Sequence, residues 1–170
     1  VQINSKTRVL VTGGAGFIGS RLVHDLNQQG VEKIVVADFL GSDYKWQNLS
    51  PLAFQHYLEA SELLPALESN RLGSFDLVLP MGAFSSTSER DASYLVSNNY
   101  EFTRRLAHWS LDKGARFVYA SSAATYGNGS EGMDDFRRQA IKEDAVVTLR
   151  KDHPGPIVTK GRNHVLLAVA

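Results

Sequence analysis

Glycines near the N-terminus are spaced so that the backbone can pass close to a diphosphate. Gly13, Gly16 and Gly19 form a G-x-x-G-x-x-G pattern, and Gly14, Gly16 and Gly19 also satisfy G-x-G-x-x-G. A residue without a Cβ lets the backbone approach a ligand, while the free N–H groups and dipole of a following helix attract negative charge. Because such a pattern is weak on its own, its meaning depends on the elements around it.

The elements around these glycines are the ones that a diphosphate-binding loop needs. Residues 8–12 are an apolar, β-branched run typical of a buried parallel strand. Apolar residues at 17–26 recur at helical spacing, with Gly30 as the expected C-terminal cap, and the apolar run 33–38 completes a β-α-β unit. A turn that merely packs helix on strand is the alternative, but this context favours binding of an NAD(P) pyrophosphate.

Asp38 ends the second predicted strand about 20 residues beyond the glycines, where a carboxylate can accept hydrogen bonds from the adenosine ribose. The alternative is a solvated strand-end aspartate, which the glycine loop makes the weaker interpretation. Asp38 alone favours NAD, because its charge would repel the 2′-phosphate of NADP. Lys45, further along the chain, is able to neutralise such a phosphate, so these residues leave the choice between NAD and NADP even.

The rest of the pattern alternates strands with helices. Three further apolar runs predict strands, at 54–58, 75–79 and 116–120. Between them we expect a helix at 61–70, with Pro65 tolerated only near its first turn, and a long helix at 92–113 closed by Gly114. This order predicts an α/β fold: a Rossmann-like, doubly wound parallel sheet in three α/β/α layers with a truncated C-terminal part, binding ligands at the C-terminal strand ends.

Two later strand ends carry small residues and hydroxyls. The loop 82–87 begins with small residues that let the backbone lie against a cofactor, although an ordinary polar loop is an equal alternative. Asn98, in the long helix, is expected either to reach back to this loop or to be exposed. Ser121 and Ser122 place a hydroxyl where nicotinamide and substrate would meet, which we favour over a plain loop start.

Composition narrows the classes of function. At 170 residues, the chain is expected to form one domain with its own core. Eighteen basic residues balance eighteen acidic ones, so we expect no nucleic-acid or membrane partner. The chain has no cysteine and its five histidines are scattered, so no metal site is expected. Neither a signal-peptide pattern nor a run of ~18 apolar residues occurs, which predicts a soluble, cytoplasmic protein.

The motifs together resemble the extended short-chain dehydrogenase/reductase superfamily of NAD(P)-dependent epimerases and dehydratases. Within it, they are similar to the ADP-L-glycero-D-manno-heptose 6-epimerases. The similarity is carried by four segments, at 12–19 (TGGAGFIG), 82–89 (GAFSSTSE), 98–100 (NNY) and 119–127 (YASSAATYG). It extends from about Arg8 to Phe136, so we expect a cofactor-binding Rossmann domain at 1–132 and an atypical tail at 133–170.

The resemblance implies that the chain is an isomerase with NADP as its cofactor. The implied contacts lie on the glycine loop, the second strand end and the later loop, at Gly13, Gly16, Phe17, Ile18, Gly19, Asp38, Phe39, Lys45, Met81, Gly82, Ala83, Phe84, Ser85 and Asn98. Ser122, four residues before Tyr126, matches the family's catalytic serine. The implied reaction passes hydride from C6 of an ADP-heptose to NADP+ and returns it to the opposite face of a transient ketone, in lipopolysaccharide core synthesis.

The chain departs from the family pattern after Tyr126. No Tyr-x-x-x-Lys follows, although the family's tyrosine is the acid/base and its lysine lowers the tyrosine pKa. Ala60 stands where a cofactor-contacting lysine is expected, and Pro80 and Phe84 replace a usual His and Cys. We therefore expect an incomplete copy, truncated or out of frame in its tail, with weak or no turnover.

Two other hypotheses fit the sequence. One is a UDP- or dTDP-sugar epimerase or dehydratase of the same superfamily, which shares the glycine loop but not the details of residues 82–89. The other is a non-catalytic NAD(P)-binding module, which the missing acid/base pair favours. The oligomeric state stays open, and a homo-oligomer is one option. An incomplete sheet would expose an apolar edge, which favours aggregation or dependence on a partner.

Overall fold

The computed structural model describes residues 2–85 and 90–120 in full. Four short segments are described as strand backbone only, at 121–122, 145–146, 159–160 and 164–169. The chain divides into two compact units, Val1–Phe117 and Val118–Ala170. The first unit contains every candidate cofactor residue, whereas Ser122 lies in the second.

A parallel sheet forms the centre of the first unit. Its strands are β1 (Val9–Thr12), β2 (Ile34–Asp38), β3 (His56–Glu59), β4 (Leu77–Pro80) and the start of β5 (Arg116–Ser122). They lie in the order β3-β2-β1-β4-β5, and every neighbouring pair is parallel. Strands β1, β2 and β4 are buried along their whole length, which explains why their sequences are continuous apolar runs. The order reverses between β1 and β4, where ligands bind in open α/β sheets.

Helices flank this sheet. They are α1 (Phe17–Gln28), α2 (Ala60–Glu68), α3 (Ala92–Leu95) and α4 (Phe102–Asp112). A 3₁₀ helix, Tyr44–Asn48, follows β2, and a π-helical turn, Val96–Glu101, joins α3 to α4. The helices bury apolar side chains toward the core, among them Val23, Leu26, Leu63, Leu67 and Leu106. Burial of these faces is the main favourable term in the stability of such a unit.

The predicted Rossmann-like α/β fold is confirmed. Each of the five strands overlaps one of the predicted apolar runs, although β3 and β4 begin two residues later than predicted. The strand order is that of a sheet wound in two directions from β1. Gly30 and Gly114 follow α1 and α4 with φ of 78° and 69°, as expected for left-handed helix caps. The long helix predicted at 92–113 is present as α3, the π-helical turn and α4.

The placement of Pro65 differs from the prediction. It is the sixth residue of α2 rather than part of the first turn, because the helix already begins at Ala60. At that position Pro65 has no N–H to donate to the Ser61 carbonyl, so one helical hydrogen bond is lost. The helix forms nevertheless, since its buried residues Leu63 and Leu67 pack into the core.

The second unit is described by a few strands. Strand β6 (Ala145–Val146) pairs antiparallel with β7 (Thr159–Lys160), and β8 spans His164–Val169. Among the described residues of the chain, no helix is long and apolar enough to cross a membrane. The predicted boundary at 132/133, the character of the tail and the oligomeric state remain predictions.

Candidate cofactor-binding site

The glycine loop between β1 and α1 packs through its backbone. Gly13 has a φ of +64°, and a Cβ there would lie 2.6 Å from backbone atoms of Gly82, on the loop after β4. A Cβ on Gly19 would lie 2.1 Å from the carbonyl oxygen of Gly13. Both positions therefore require glycine, because real Cβ atoms do not approach other heavy atoms so closely. The two glycines bring α1 and the β4 loop against one turn.

The start of α1 is open to a ligand. Gly16 precedes the helix in an extended conformation, with φ −70° and ψ 171°. Among the described residues, a Cβ on Gly16 would meet only the Gly13 carbonyl oxygen, at 3.2 Å. The Ser20 N–H donates to the Gly16 carbonyl, so the three preceding amides lie ahead of the first helical hydrogen bond. Amides so placed, at the positive end of the helix dipole, bind phosphate oxygens.

Three apolar side chains around this opening face solvent. Phe17 is 90% exposed, Ile18 is 49% exposed and Phe39, directly after β2, is 48% exposed. The apolar stripe predicted at 17–26 is therefore buried only in its later part, where Val23 and Leu26 face the core. Exposure of large apolar groups costs stability, but it leaves them free to contact the rings of a dinucleotide.

Asp38 is buried at the end of β2 and braces the glycine loop. Its Oδ2 accepts a hydrogen bond from the Ala15 N–H at 2.8 Å. Its Oδ1 accepts one from the Phe39 N–H at 2.7 Å and one from Lys45 Nζ at 3.0 Å. Three protein donors thus occupy a carboxylate that has about four acceptor sites. The sequence predicted that Asp38 binds a ribose. In the structure, Asp38 also holds the glycine loop and Lys45, and its carboxylate has about one acceptor site left for a ribose hydroxyl.

Lys45 places a positive charge beside the Asp38 carboxylate. Its side chain is 28% exposed, while that of Asp38 is 9% exposed, so the pair lies partly out of solvent and is screened less than a surface pair. Asp43 caps the 3₁₀ helix by accepting the Lys45 N–H at 3.0 Å, which fixes where the lysine side chain begins. Because an ammonium group has three donors, Lys45 keeps capacity for a second anion.

Two residues that the sequence analysis did not single out bond to the backbone beside the Asp38 carboxylate. Asn48, in the 3₁₀ helix, donates from Nδ2 to the Ala15 carbonyl oxygen at 2.9 Å. Tyr57 on β3 places its hydroxyl 2.8 Å from both the Asp38 carbonyl oxygen and Glu59 Oε1. Since the hydroxyl has one proton, it donates to one of these acceptors at a time. Burial, and then the hydrogen bond and charge of Glu59, raise the pKa of Tyr57 well above its usual range.

Tyr57→Phe is expected to lower the free energy of unfolding at neutral pH by about 0.5–1.5 kcal/mol, because the hydrogen bond from the Tyr57 hydroxyl to the Asp38 carbonyl oxygen or to Glu59 is lost. The raised pKa means that the folded state holds the Tyr57 proton more tightly than the unfolded state. This contribution is therefore complete below the ordinary tyrosine pKa of 10.0 and is lost as the pH rises toward the folded pKa. Urea unfolding of the wild type and Tyr57→Phe across this pH range should show the difference between their unfolding free energies becoming smaller. A difference that does not change with pH would contradict the role given to the Tyr57 proton.

The loop after β4 runs against the π-helical turn. Asn98 Nδ2 donates to the Gly82 carbonyl oxygen at 3.4 Å and to Asn99 Oδ1 at 2.9 Å, so Asn98 does reach back to the loop. Between described residues, no donor is bonded to Asn98 Oδ1. Met81 donates its N–H to the Thr12 carbonyl at 3.0 Å, which ties the loop to the end of β1. The remaining predicted loop residues, Ala83, Phe84 and Ser85, are exposed.

The other predicted functional residues stay predictions. Ser122 closes β5 in the second unit, and its side chain lies outside the described residues, as do 86–89 and 123–127. Its catalytic role is therefore untested. The described residues include no group of three or more histidine, aspartate or glutamate side chains able to hold a metal ion.

Comparison with known sequences gives a consistent match. The family model described as "NAD dependent epimerase/dehydratase family" matches residues 9–146. An ADP-L-glycero-D-manno-heptose-6-epimerase of Nitratidesulfovibrio vulgaris is 46% identical over 127 residues, which cover 74% of this chain and 39% of that protein. The enzyme of the same name from Alkalilimnicola ehrlichii is 42% identical over 123 residues, covering 72% and 38%. The chain thus spans about two fifths of the length of these relatives.

Solved structures show the same relationship. The Helicobacter pylori ADP-L-glycero-D-manno-heptose-6-epimerase aligns with a TM-score of 0.62 at 28% identity, covering 74% of this chain and 41% of that one. The Bacillus cereus UDP-glucuronic acid 4-epimerase, solved in complex with NAD, gives 0.61 at 27% identity, covering 72% and 42%. With a glycine loop, a strand-end aspartate and a family match over most of its length, this chain belongs to the NAD-dependent epimerase/dehydratase family.

Proposed function

We propose that this chain is the NADP-binding part of an epimerase that converts ADP-D-glycero-D-manno-heptose to its L-glycero isomer. The observation that carries the proposal is the buried Asp38 carboxylate, which joins the glycine loop to the Lys45 ammonium. Relatives named ADP-L-glycero-D-manno-heptose-6-epimerase, at 46% and 42% identity, support this nucleotide-sugar substrate over a UDP- or dTDP-sugar. The proposal includes the cytoplasmic location and the place in lipopolysaccharide core synthesis that the resemblance implies.

The residues at the start of α1 fit the diphosphate of the cofactor. Among the described residues, a Cβ on Gly16 would meet only the Gly13 carbonyl oxygen, and the free amides of the first helical turn lie beside it. Gly13 and Gly19 act indirectly, because they allow the close packing that forms this opening. Phe17 and Ile18 contribute amides and exposed apolar surface to the same place.

Asp38 and Lys45 fit the adenosine end of NADP. Asp38 has an acceptor site left for a ribose hydroxyl, and Lys45 has donors left for the 2′-phosphate. Phe39, exposed directly after Asp38, offers an apolar face to the adenosine. NAD remains the second candidate, since a buried carboxylate favours an unphosphorylated ribose and the Bacillus cereus relative was solved in complex with NAD.

The Met81–Ser85 loop and Asn98 would line the other half of the cofactor, and Ser122 would hold the oxygen of the sugar. Bound NADP+ would supply a reversible hydride acceptor. Asn98 Oδ1 is oriented to accept a hydrogen bond, since its Nδ2 donates to Gly82 and Asn99. Ser122 is at the C-terminal end of β5, where active sites of such sheets are found.

The proposal predicts cofactor binding with little turnover. The sequence contains no Tyr-x-x-x-Lys after Tyr126, and loss of a positioned acid/base lowers a rate by about 10² or more. The assay follows conversion of ADP-D-glycero-D-manno-heptose with NADP by chromatography, beside the Helicobacter pylori enzyme as positive control. We expect a rate at least about a hundredfold lower than the control, and comparable turnover would contradict the prediction.

The tail at 133–170 is proposed to be out of frame, because the Tyr-x-x-x-Lys motif expected after Tyr126 does not occur in it. The encoding DNA read in all three frames tests this. A Tyr-x-x-x-Lys segment downstream in another frame is the expected result, and its absence would favour the non-catalytic NAD(P)-binding module.

A further inference from the structure

Asn99 holds the loop after β4 through the backbone of a single residue. Its Oδ1 accepts the Phe84 N–H at 2.8 Å, and its Nδ2 donates to the Phe84 carbonyl oxygen at 2.8 Å. The orientation of the amide follows from these bonds, since a backbone N–H can only donate and a carbonyl can only accept. One side chain therefore satisfies both polar backbone groups of Phe84.

The π-helical turn explains how two adjacent residues reach the same loop. Neighbouring residues of a regular α-helix point about 100° apart, so they seldom share a target. The turn Val96–Glu101 departs from that spacing, and within it Asn98 contacts Gly82 while Asn99 contacts Phe84. Such turns interrupt α-helices frequently at functional sites.

A contact between two aromatic rings also holds the loop after β4. The Phe84 ring packs edge-on against Tyr94, with centroids 5.4 Å apart and an interplanar angle of 78°. Tyr94 belongs to α3, and its N–H bonds to the capping carboxylate of Asp91 at 3.0 Å. The helical segment therefore contacts both the backbone and the ring of Phe84, two residues after Gly82 and its close approach to Gly13.

We propose that Asn99 is a positioning residue that sets the path of the Met81–Ser85 loop and thereby the affinity of the site for the dinucleotide. It acts through Phe84, whereas Asn98 is proposed to contact the cofactor itself. The inference rests on the proposed NADP-binding function, but the bonds between Asn99 and Phe84 form in the protein without cofactor and are tested there.

The test compares Asn99→Ala with Asn98→Ala and Ser97→Ala in the full chain. Hydrogen exchange of the Phe84 amide is measured by NMR without cofactor, and the Kd for NADP by calorimetry. For Asn99→Ala we expect exchange about tenfold faster and a Kd about tenfold higher, since two hydrogen bonds are lost. Asn98→Ala should raise the Kd but speed the Phe84 exchange less than Asn99→Ala does, because it removes one bond to Asn99 Oδ1 and neither bond to Phe84. Ser97→Ala, an exposed position in the same turn, should change neither.

Asn99→Asp tests the two bonds between Asn99 and Phe84 one at a time. It also replaces Asn99→Ala as the test variant if that protein does not fold. It keeps an acceptor for the Phe84 N–H but loses the donor to the Phe84 carbonyl, so the amide should stay protected while the Kd for NADP rises. If Phe84 exchange is unchanged in Asn99→Ala, Asn99 does not hold the Phe84 backbone. If exchange is faster but the Kd for NADP is unchanged, Asn99 is not a positioning residue. A wild-type chain that binds no NADP would instead overturn the proposed function. The exchange measured without cofactor would still show whether Asn99 holds the Phe84 backbone.

Discussion

Gly19→Ala is expected to abolish NADP binding by destabilising the folded protein by about 3 kcal/mol or more, the upper range for overpacking. The added Cβ would lie 2.1 Å from the Gly13 carbonyl oxygen and 2.7 Å from the Gly14 Cα. Both are backbone atoms of the glycine loop, so no side-chain rotation relieves the clash. The helix must move away from β1, which removes the opening where the diphosphate is proposed to bind. Urea unfolding and calorimetric titration with NADP measure the two effects.

Gly16→Ala is the matched control for this prediction. Its Cβ would lie 3.2 Å from one carbonyl oxygen, a contact that a shift of a few tenths of an ångström relieves. We expect Gly16→Ala to fold with nearly wild-type stability but to bind NADP more weakly, because the methyl group occupies the side of the loop where the diphosphate is proposed to bind. Equal losses of stability in the two variants would show that Gly16 and Gly19 are both packing positions. If Gly16→Ala binds NADP as tightly as the wild type does, the diphosphate does not bind at this loop.

Lys45→Ala is expected to raise the Kd for NADP by about 10- to 100-fold and to change the Kd for NAD much less. A charge-assisted hydrogen bond contributes about 1.5–3 kcal/mol, and the 2′-phosphate would lose one such bond. It would also face the Asp38 carboxylate without the compensating ammonium 3.0 Å away. Parallel titrations with NADP and NAD measure the change in preference.

Lys33→Ala is the control for charge alone, since Lys33 is an exposed lysine at the opposite end of β2 from Asp38. It should leave both affinities near the wild-type values, because the distant charge is screened by solvent ions. A Lys45→Ala protein that loses NAD and NADP equally would mean that Lys45 acts by holding Asp38 and not by binding a phosphate. The proposal of NADP as the cofactor would then be wrong.

The features that were predicted correctly depend on local sequence. The strands β1, β2 and β4 are continuous apolar runs, and a strand buried on both faces leaves that pattern whatever surrounds it. Gly30 and Gly114 follow their helices with positive φ, as their positions in the sequence predicted. The glycine loop was recognisable for the same reason, since its spacing follows from the geometry of one tight turn.

The features that were missed depend on contacts between distant segments. The Asp38 carboxylate accepts from Ala15, which lies 23 residues earlier, as well as from the nearby Phe39 and Lys45, and the sequence shows only that an acid ends the strand. Asn99 gains its role from a π-helical turn, for which no residue pattern is diagnostic. The position of Pro65 in α2 was misjudged because packing of Leu63 and Leu67 outweighs the lost hydrogen bond.

The most direct test of the account is a calorimetric titration of the folded full chain with NADP, and with NAD for comparison. Circular dichroism before the titration establishes that the sheet and helices are present. The account predicts saturable binding at one site per chain, tighter for NADP than for NAD and abolished in Gly19→Ala. Absence of heat with either dinucleotide, for a chain that is folded, would contradict it.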